Sequence, residues 1–318
     1  MCDLSVIIVN WNTCEPLRAC LAALPAACGG LSREVLVVDN ASSDGSAAMV
    51  RDAYPHATLI ESGGNLGFAR GNNLALPRAR GRCILLLNPD TVCEPGALKT
   101  LVRFLDATPD AAAVGPVLTD AAGAPTLSWG TAPRLRYHLL SLIDPGRRWL
   151  PAPLRTQSTA RLPVSAAESY RVEYVVGACL MMNRGALERV GPLDERFFMY
   201  FEETDWCLRA RDAGYGIYLE PRARVKHLEG RAAARSGDFA LAQFQKSYRR
   251  FLAKHRGARW VPAYRLAQLL EYGLKGAARR LMALLQPSNR ARHAALAHDF
   301  LRVAAMQFRG EIRADPPS

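Results

Sequence analysis

Two hydrophobic periods alternate along the first 120 residues. Short, almost continuously apolar or β-branched runs fall at residues 5–10, 35–38, 58–60, 83–87 and 113–117. Amphipathic segments near 15–27, 45–54, 68–76 and 96–107 separate them. Unbroken apolar strands joined by helices predict a parallel sheet covered on both faces. Open sheets of this kind take ligands just past the carboxyl ends of their strands. Polar residues gather at those ends here: Asn10-Trp11-Asn12, Asp39-Asn40 and Asn88-Pro89-Asp90.

The pattern weakens over 119–170, a stretch rich in Pro, Ala, Arg and Ser that predicts a long loop with one helix around 135–142. A strand pattern returns at 172–182, followed by a helix over 184–190, a turn at Gly191-Pro192 and an aromatic run from Phe197 to Phe201. A helix is expected over 204–213, stopped by Gly214, then strands at 216–219 and 224–227. Beyond residue 237 the spacing is helical. Leu266, Leu269, Leu270, Leu274, Ala277, Leu281 and Leu285 form one stripe, and Arg265, Gln268, Glu271, Lys275 and Arg279 form the other. Such a helix packs its stripe on its own domain or lies on a membrane surface. The expected organisation is residues 1–118 and 119–236 as two halves of one α/β domain, then a basic helical extension over 237–318.

Composition narrows the classes. Of 318 residues, 49% are hydrophobic and 22% charged, which excludes collagen-like, low-complexity and wholly disordered chains. No run of about 18 uncharged apolar residues predicts a transmembrane helix. The opening run reads as a strand rather than a leader, so the expected location is cytoplasmic. The net charge of +12 is unevenly placed. From Pro221 onward there are 20 Lys and Arg against 6 Asp and Glu, a balance of +14. Few aromatics interleave with these cations, which argues against nucleic acid. The eight cysteines form no C-x-x-C pair and no metal spacing with histidine, so reduced thiols are expected.

Five segments carry chemistry. Asp39 and Asn40, at a strand end, can take hydrogen bonds from a nucleobase or ribose, while Ser43 or Asp44 suits the cap of the next helix. The run Gly63 to Asn73 matches neither G-x-G-x-x-G nor a P-loop, yet Asn65, Arg70 and Asn73 add a polar wall to its glycines. Asn88 and Asp90 suit a divalent cation that also binds phosphates, or an ordinary turn. Glu202 and Glu203 stand side by side behind the aromatic run, where repulsion and burial raise a carboxyl pKa toward that of a general base. His227 ends the last strand pattern.

Together these segments resemble the family 2 glycosyltransferases, in the bacterial rhamnosyltransferase-like branch. The matching residues are Ser5 to Asn12, Val37 to Gly45, Gly64 to Ala69, Leu87 to Thr91 and Phe197 to Arg209, in the family's order over roughly residues 4–230. The resemblance implies a GT-A fold and inverting transfer from a nucleoside-diphosphate sugar, dTDP- or UDP-linked, with rhamnose the default sugar. It implies nucleotide contacts at Asn12, Asp39, Asn40, Asn65, Gly67 and Phe68, beside Arg70, Asn73 and Asn88. It places Mg²⁺ or Mn²⁺ on Asp90 and His227, and makes Glu203, with Glu202 beside it, the base. Asn88 stands where the family often has a first Asp, and Glu-Glu replaces its usual Glu-Asp. The implied acceptor is a glycan or lipid-linked glycan, which favours an anionic membrane surface at the inner face of the cytoplasmic membrane as the partner of the basic extension. A non-catalytic sugar-nucleotide-binding protein and a nucleotidyltransferase are the alternatives.

Overall fold

The computed structural model describes residues 2–135, 137, 140, 168–228 and 237–308. The chain divides into two compact units: Met1–Ala132 with Ser158–Gly237, and Pro133–Gln157 with Asp238–Ser318. Most of the loop and helix expected over 119–170 lies outside the described residues.

In the first unit, β1 (Leu4–Asn10) is buried along its whole length. Parallel neighbours cover both its edges, β2 (Arg33–Asp39) and β4 (Cys83–Leu87), and β3 (Thr58–Glu61) extends the sheet beyond β2. Alternation along the strands feeds two cores. Leu4, Val6 and Ile8 of β1, with Cys83, Leu85 and Leu87 of β4, face α1 (Cys14–Cys28), α2 (Ser46–Ala53) and α4 (Ala97–Ala107). Ile7, Val9, Ile84 and Leu86 face α3 (Gly67–Ala75), α5 (Arg184–Val190) and α6 (Glu202–Asp212). Apolar residues at consecutive positions are thus each buried, on opposite sides.

The sheet runs β3-β2-β1-β4-β10-β6-β11-β5, with β8 (Tyr170–Arg171) also on β11. It is mixed rather than parallel throughout. β10 (Cys179–Asn183) lies antiparallel between β4 and β6 (Ala111–Thr119). β11 (Gly216–His227) runs parallel to β6, and the short β5 (Thr91–Cys93) is antiparallel to β11. The strand expected over 172–182 is two pieces, β9 (Tyr174–Val175) and β10, because β9 leaves the main sheet to pair with β7 (Trp129–Gly130). Conversely, the two strands expected at 216–227 are one. Its register slips between Glu220 and Arg224, around Pro221, which has no N–H to give the ladder.

The second unit contains α7 (Gly237–Leu252), α8 (Val261–Leu285) and α9 (Arg290–Met306). α8 and α9 form an antiparallel hairpin: Tyr272 meets Phe300, and Gly276 lies so close that an added Cβ would stand 2.7 Å from Leu301. The face of α8 that is buried is the one carrying Tyr264, Ala267, Gln268, Glu271 and Gly276. Most of the leucine stripe points to solvent.

Candidate functional site

Strand register sets the site's base. Asn10 and Asp39 are partners across β1 and β2, at the carboxyl ends of both strands. The Asn10 amide donates to Asp39 Oδ1 (3.3 Å) and to Ser42 Oγ (3.1 Å), and its carbonyl accepts from Thr13 (2.6 Å). Asp39 Oδ2 accepts from the Ser42 amide at 2.9 Å, and Asn12 Oδ1 from the Ser43 amide at 2.7 Å. Asn12 and Ala41 take left-handed backbone angles, φ +53° and +60°. The cap of α2 is neither Ser43 nor Asp44 but Gly45, in the left-handed region at φ +86°, and Asp44 just before it accepts from the Ser46 amide.

Asn40 carries the network to the glycine-rich segment. Its amide donates to Gly67 O (3.1 Å), while its buried Oδ1 has no hydrogen-bond partner among the described residues. Asn65 accepts from the Gly67 amide at the head of α3, and the Phe68 amide donates to Phe198 O at 2.7 Å. Gly67 has φ +77°, and a Cβ there would stand 2.3 Å from Phe198 O, so only glycine fits. Arg70 and Asn73 have partners of their own on the segment after α5. Arg70 pairs with Glu195, and Asn73 holds the Leu193 backbone through both its amide and its carbonyl.

The expected metal residues meet across β5 and β11. His227 Nε2 lies 3.3 Å from Asp90 Oδ1, and the Leu228 amide donates to Asp90 O. One carboxylate and one imidazole suit Mg²⁺ or Mn²⁺ as part of a coordination shell that phosphate oxygens and water complete. No group of three or more His, Cys, Asp or Glu side chains gathers at metal distance among the described residues. Asn88 N donates to Ala178 O (2.9 Å), tying this corner to the segment that precedes β10.

That segment reaches the acidic pair. Tyr200 and Phe201 both have left-handed angles (φ +68° and +71°), and Glu202 opens α6 directly after them. Two such residues cost roughly 1–2 kcal/mol each, a strain that fixes where the helix begins. Glu202 is buried and Glu203 half-buried, and Gly177 sits against Glu203, a Cβ there falling 3.4 Å from Glu203 Cγ. Burial raises both carboxyl pKa values, and the Glu203 charge raises Glu202 further. Backbone amides and the Thr204 hydroxyl pull Glu203 partway back. Each has an Oε2 without a hydrogen-bond partner among the described residues. Asp205 instead pairs with Arg209 at 2.9 Å, one helical turn on. Gly177 and Tyr174, whose phenol is pushed up by burial and by Glu203, were hidden within what reads as a single strand.

The sequence pattern described as glycosyl transferase family 2 matches residues 5–191. An N-acetylglucosaminyl-diphospho-decaprenol L-rhamnosyltransferase of Mycobacterium tuberculosis is 29% identical over 270 residues, 81% of this chain and 86% of its own length. Rhamnosyltransferase WbbL of Escherichia coli is 25% identical, covering 70% and 83%. Among solved structures, a mannosyltransferase of Pyrobaculum calidifontis in complex with GDP-Man and Mn²⁺ shares the fold at a TM-score of 0.55. Identity there is 20%, over 97% of this chain and 86% of that one. With its GT-A sheet and its helical C-terminal region, the chain belongs to glycosyl transferase family 2 and is a glycosyltransferase.

Proposed function

We propose that the chain moves a sugar, rhamnose by default, from a dTDP- or UDP-sugar to a hydroxyl of a lipid-linked glycan, with inversion, at the inner face of the cytoplasmic membrane. The observation that carries this reading is Glu203: half-buried, held against Gly177 and joined through Ala178 and Asn88 to the strand ends. The mycobacterial relative, named for rhamnosyl transfer to a decaprenol-linked sugar, supports the choice of sugar and acceptor.

In this mechanism Asp39, Asn40, Asn12, Asn65, Gly67 and Phe68 hold the nucleoside, with Arg70, Asn73 and Asn88 around them. The orphaned Asn40 Oδ1 is the acceptor left over for a ring N–H or ribose hydroxyl. Asp90 and His227 would hold Mg²⁺ or Mn²⁺, which supplies positive charge to the departing diphosphate. Glu203 accepts the proton of the acceptor hydroxyl as that oxygen bonds to the anomeric carbon and the bond to the diphosphate breaks on the opposite face. Glu202, buried beside it and raised further by the Glu203 charge, keeps its proton longer, which leaves Glu203 as the member of the pair that ionises first and serves as base.

The test is a thermal-shift panel of UDP, dTDP, GDP and CDP, each with and without Mn²⁺, followed by a transfer assay. A nucleotide at 100 times its Kd adds about 2.7 kcal/mol of stability. A Mn²⁺-dependent rise with dTDP or UDP, and transfer from the matching sugar donor, is the expected outcome. A nucleotide shift without transfer would point to a binding protein, and pyrophosphate release to a nucleotidyltransferase.

A further inference from the structure

The second unit is built partly inside out. Gln268 and Glu271 of α8 are only 3% and 5% exposed, and Gln243, Gln245, Ser247, His293 and Gln307 are buried too. Glu271 pairs with Lys275 one turn on, and Gln307 donates to Gln245. The opposite face of α8 carries Leu266, Leu270, Leu274, Leu281, Leu284 and Leu285, all exposed, with Leu274 at 60% and Leu284 at 72%. Single exposed leucines are ordinary, but six on one helix face form a continuous patch. They run over 19 residue steps, about 29 Å of helix.

We infer that this face of α8 docks on an anionic lipid bilayer, the helix lying flat with its leucines among the acyl chains. The inference rests on the reading of a lipid-linked acceptor. Two features select lipid over a second copy of the chain. The region from Pro221 carries +14, with Arg259, Arg280, Arg290 and Arg292 exposed on or beside this hairpin. Pairing two such surfaces would bring like charges together, whereas anionic headgroups match them. Trp260, 46% exposed just before the helix, supplies the amphipathic ring favoured at a headgroup boundary. No described helix is long and apolar enough to cross a membrane, so the mode is surface contact.

The test is sedimentation of the full chain with phosphatidylcholine vesicles, with and without phosphatidylglycerol. Variants are L270N/L274N/L281N and, as a control away from the face, Leu127→Asn, which is also exposed. The wild type and the control are expected on phosphatidylglycerol vesicles, with the triple variant weakened at least about tenfold. Equal binding by the triple variant, or equal binding of the wild type to both vesicle types, would overturn the inference. So would a dimer that the triple variant dissolves in the absence of any vesicle binding. Nucleotide-dependent thermal shifts read the transferase site separately. If they fail in wild type and variant while vesicle binding persists, the transfer reading falls and the docking face stands.

Discussion

Glu202 and Glu203 are neighbours of one chemistry that differ in burial, the first buried and the second half-buried. Both carboxyls bind a proton more tightly in the folded chain than in the unfolded one. Their contribution to stability is therefore full below the ordinary glutamate range and is lost as pH rises through the raised folded values. Glu202→Gln is expected to raise Tm at neutral pH, with the gain shrinking to nothing under acid conditions in parallel melts. Glu203→Gln is expected to lower kcat by about 10²–10⁴ while the chain stays folded, the contribution of a general base. The acid limb of the wild-type rate profile is expected above the ordinary glutamate range, as kcat against pH would show. At this scale Asp39, Asn40, Asp90 and Glu203 stand out as candidates because polar residues follow apolar runs there, whereas His227 is a candidate only through the family resemblance. Gly177 is not one, since a small residue inside an apolar run carries no polar signal. Arg70 and Asn73 read as a ligand wall, and the folded chain gives them backbone and carboxylate partners around Leu193 and Glu195.

Among the elements, the glycine-rich segment and the aromatic run are held together by a backbone approach that tolerates no side chain. Gly67→Ala is expected to destabilise the chain by roughly 1–3 kcal/mol and to weaken nucleotide binding, because Phe198 O occupies the space of the new methyl. Melting and nucleotide titration of the same variant would check both effects. The first four strands and four helices could be read from period alone, since each pairs with or covers a near neighbour in sequence. The elements from 170 onward could not. β8, β9 and β10 differ only in which distant strand each one meets, and local pattern does not encode that choice. α6 starts two residues earlier than its pattern suggests because Tyr200 and Phe201 adopt angles that their side chains disfavour. On α8 the periodicity gave the helix correctly, while which stripe is covered depended on what α9 brings to it.

Across the whole molecule, all eight cysteines are free, six buried and two, Cys2 and Cys14, half-buried. Burial pushes the Cys28 and Cys83 thiols up to about 11 and Cys207 to about 12. A maleimide at neutral pH is expected to modify at most Cys2 and Cys14 quickly in the native chain and all eight in denaturant, as intact mass would show. The mixed sheet also imposes an order on biosynthesis. The four parallel strands β1 to β4, under the proposed nucleoside site, all lie within residues 4–87 and leave a ribosome before the rest of the sheet. Asp90 leaves soon after them, yet its partner His227 follows 137 residues later, at the far end of β11. β10 must meanwhile insert between β4 and β6, both synthesised well before it. A growing chain thus holds the proposed donor cradle long before it holds the acidic pair, and the exposed edge of β4 waits for its neighbour throughout that interval.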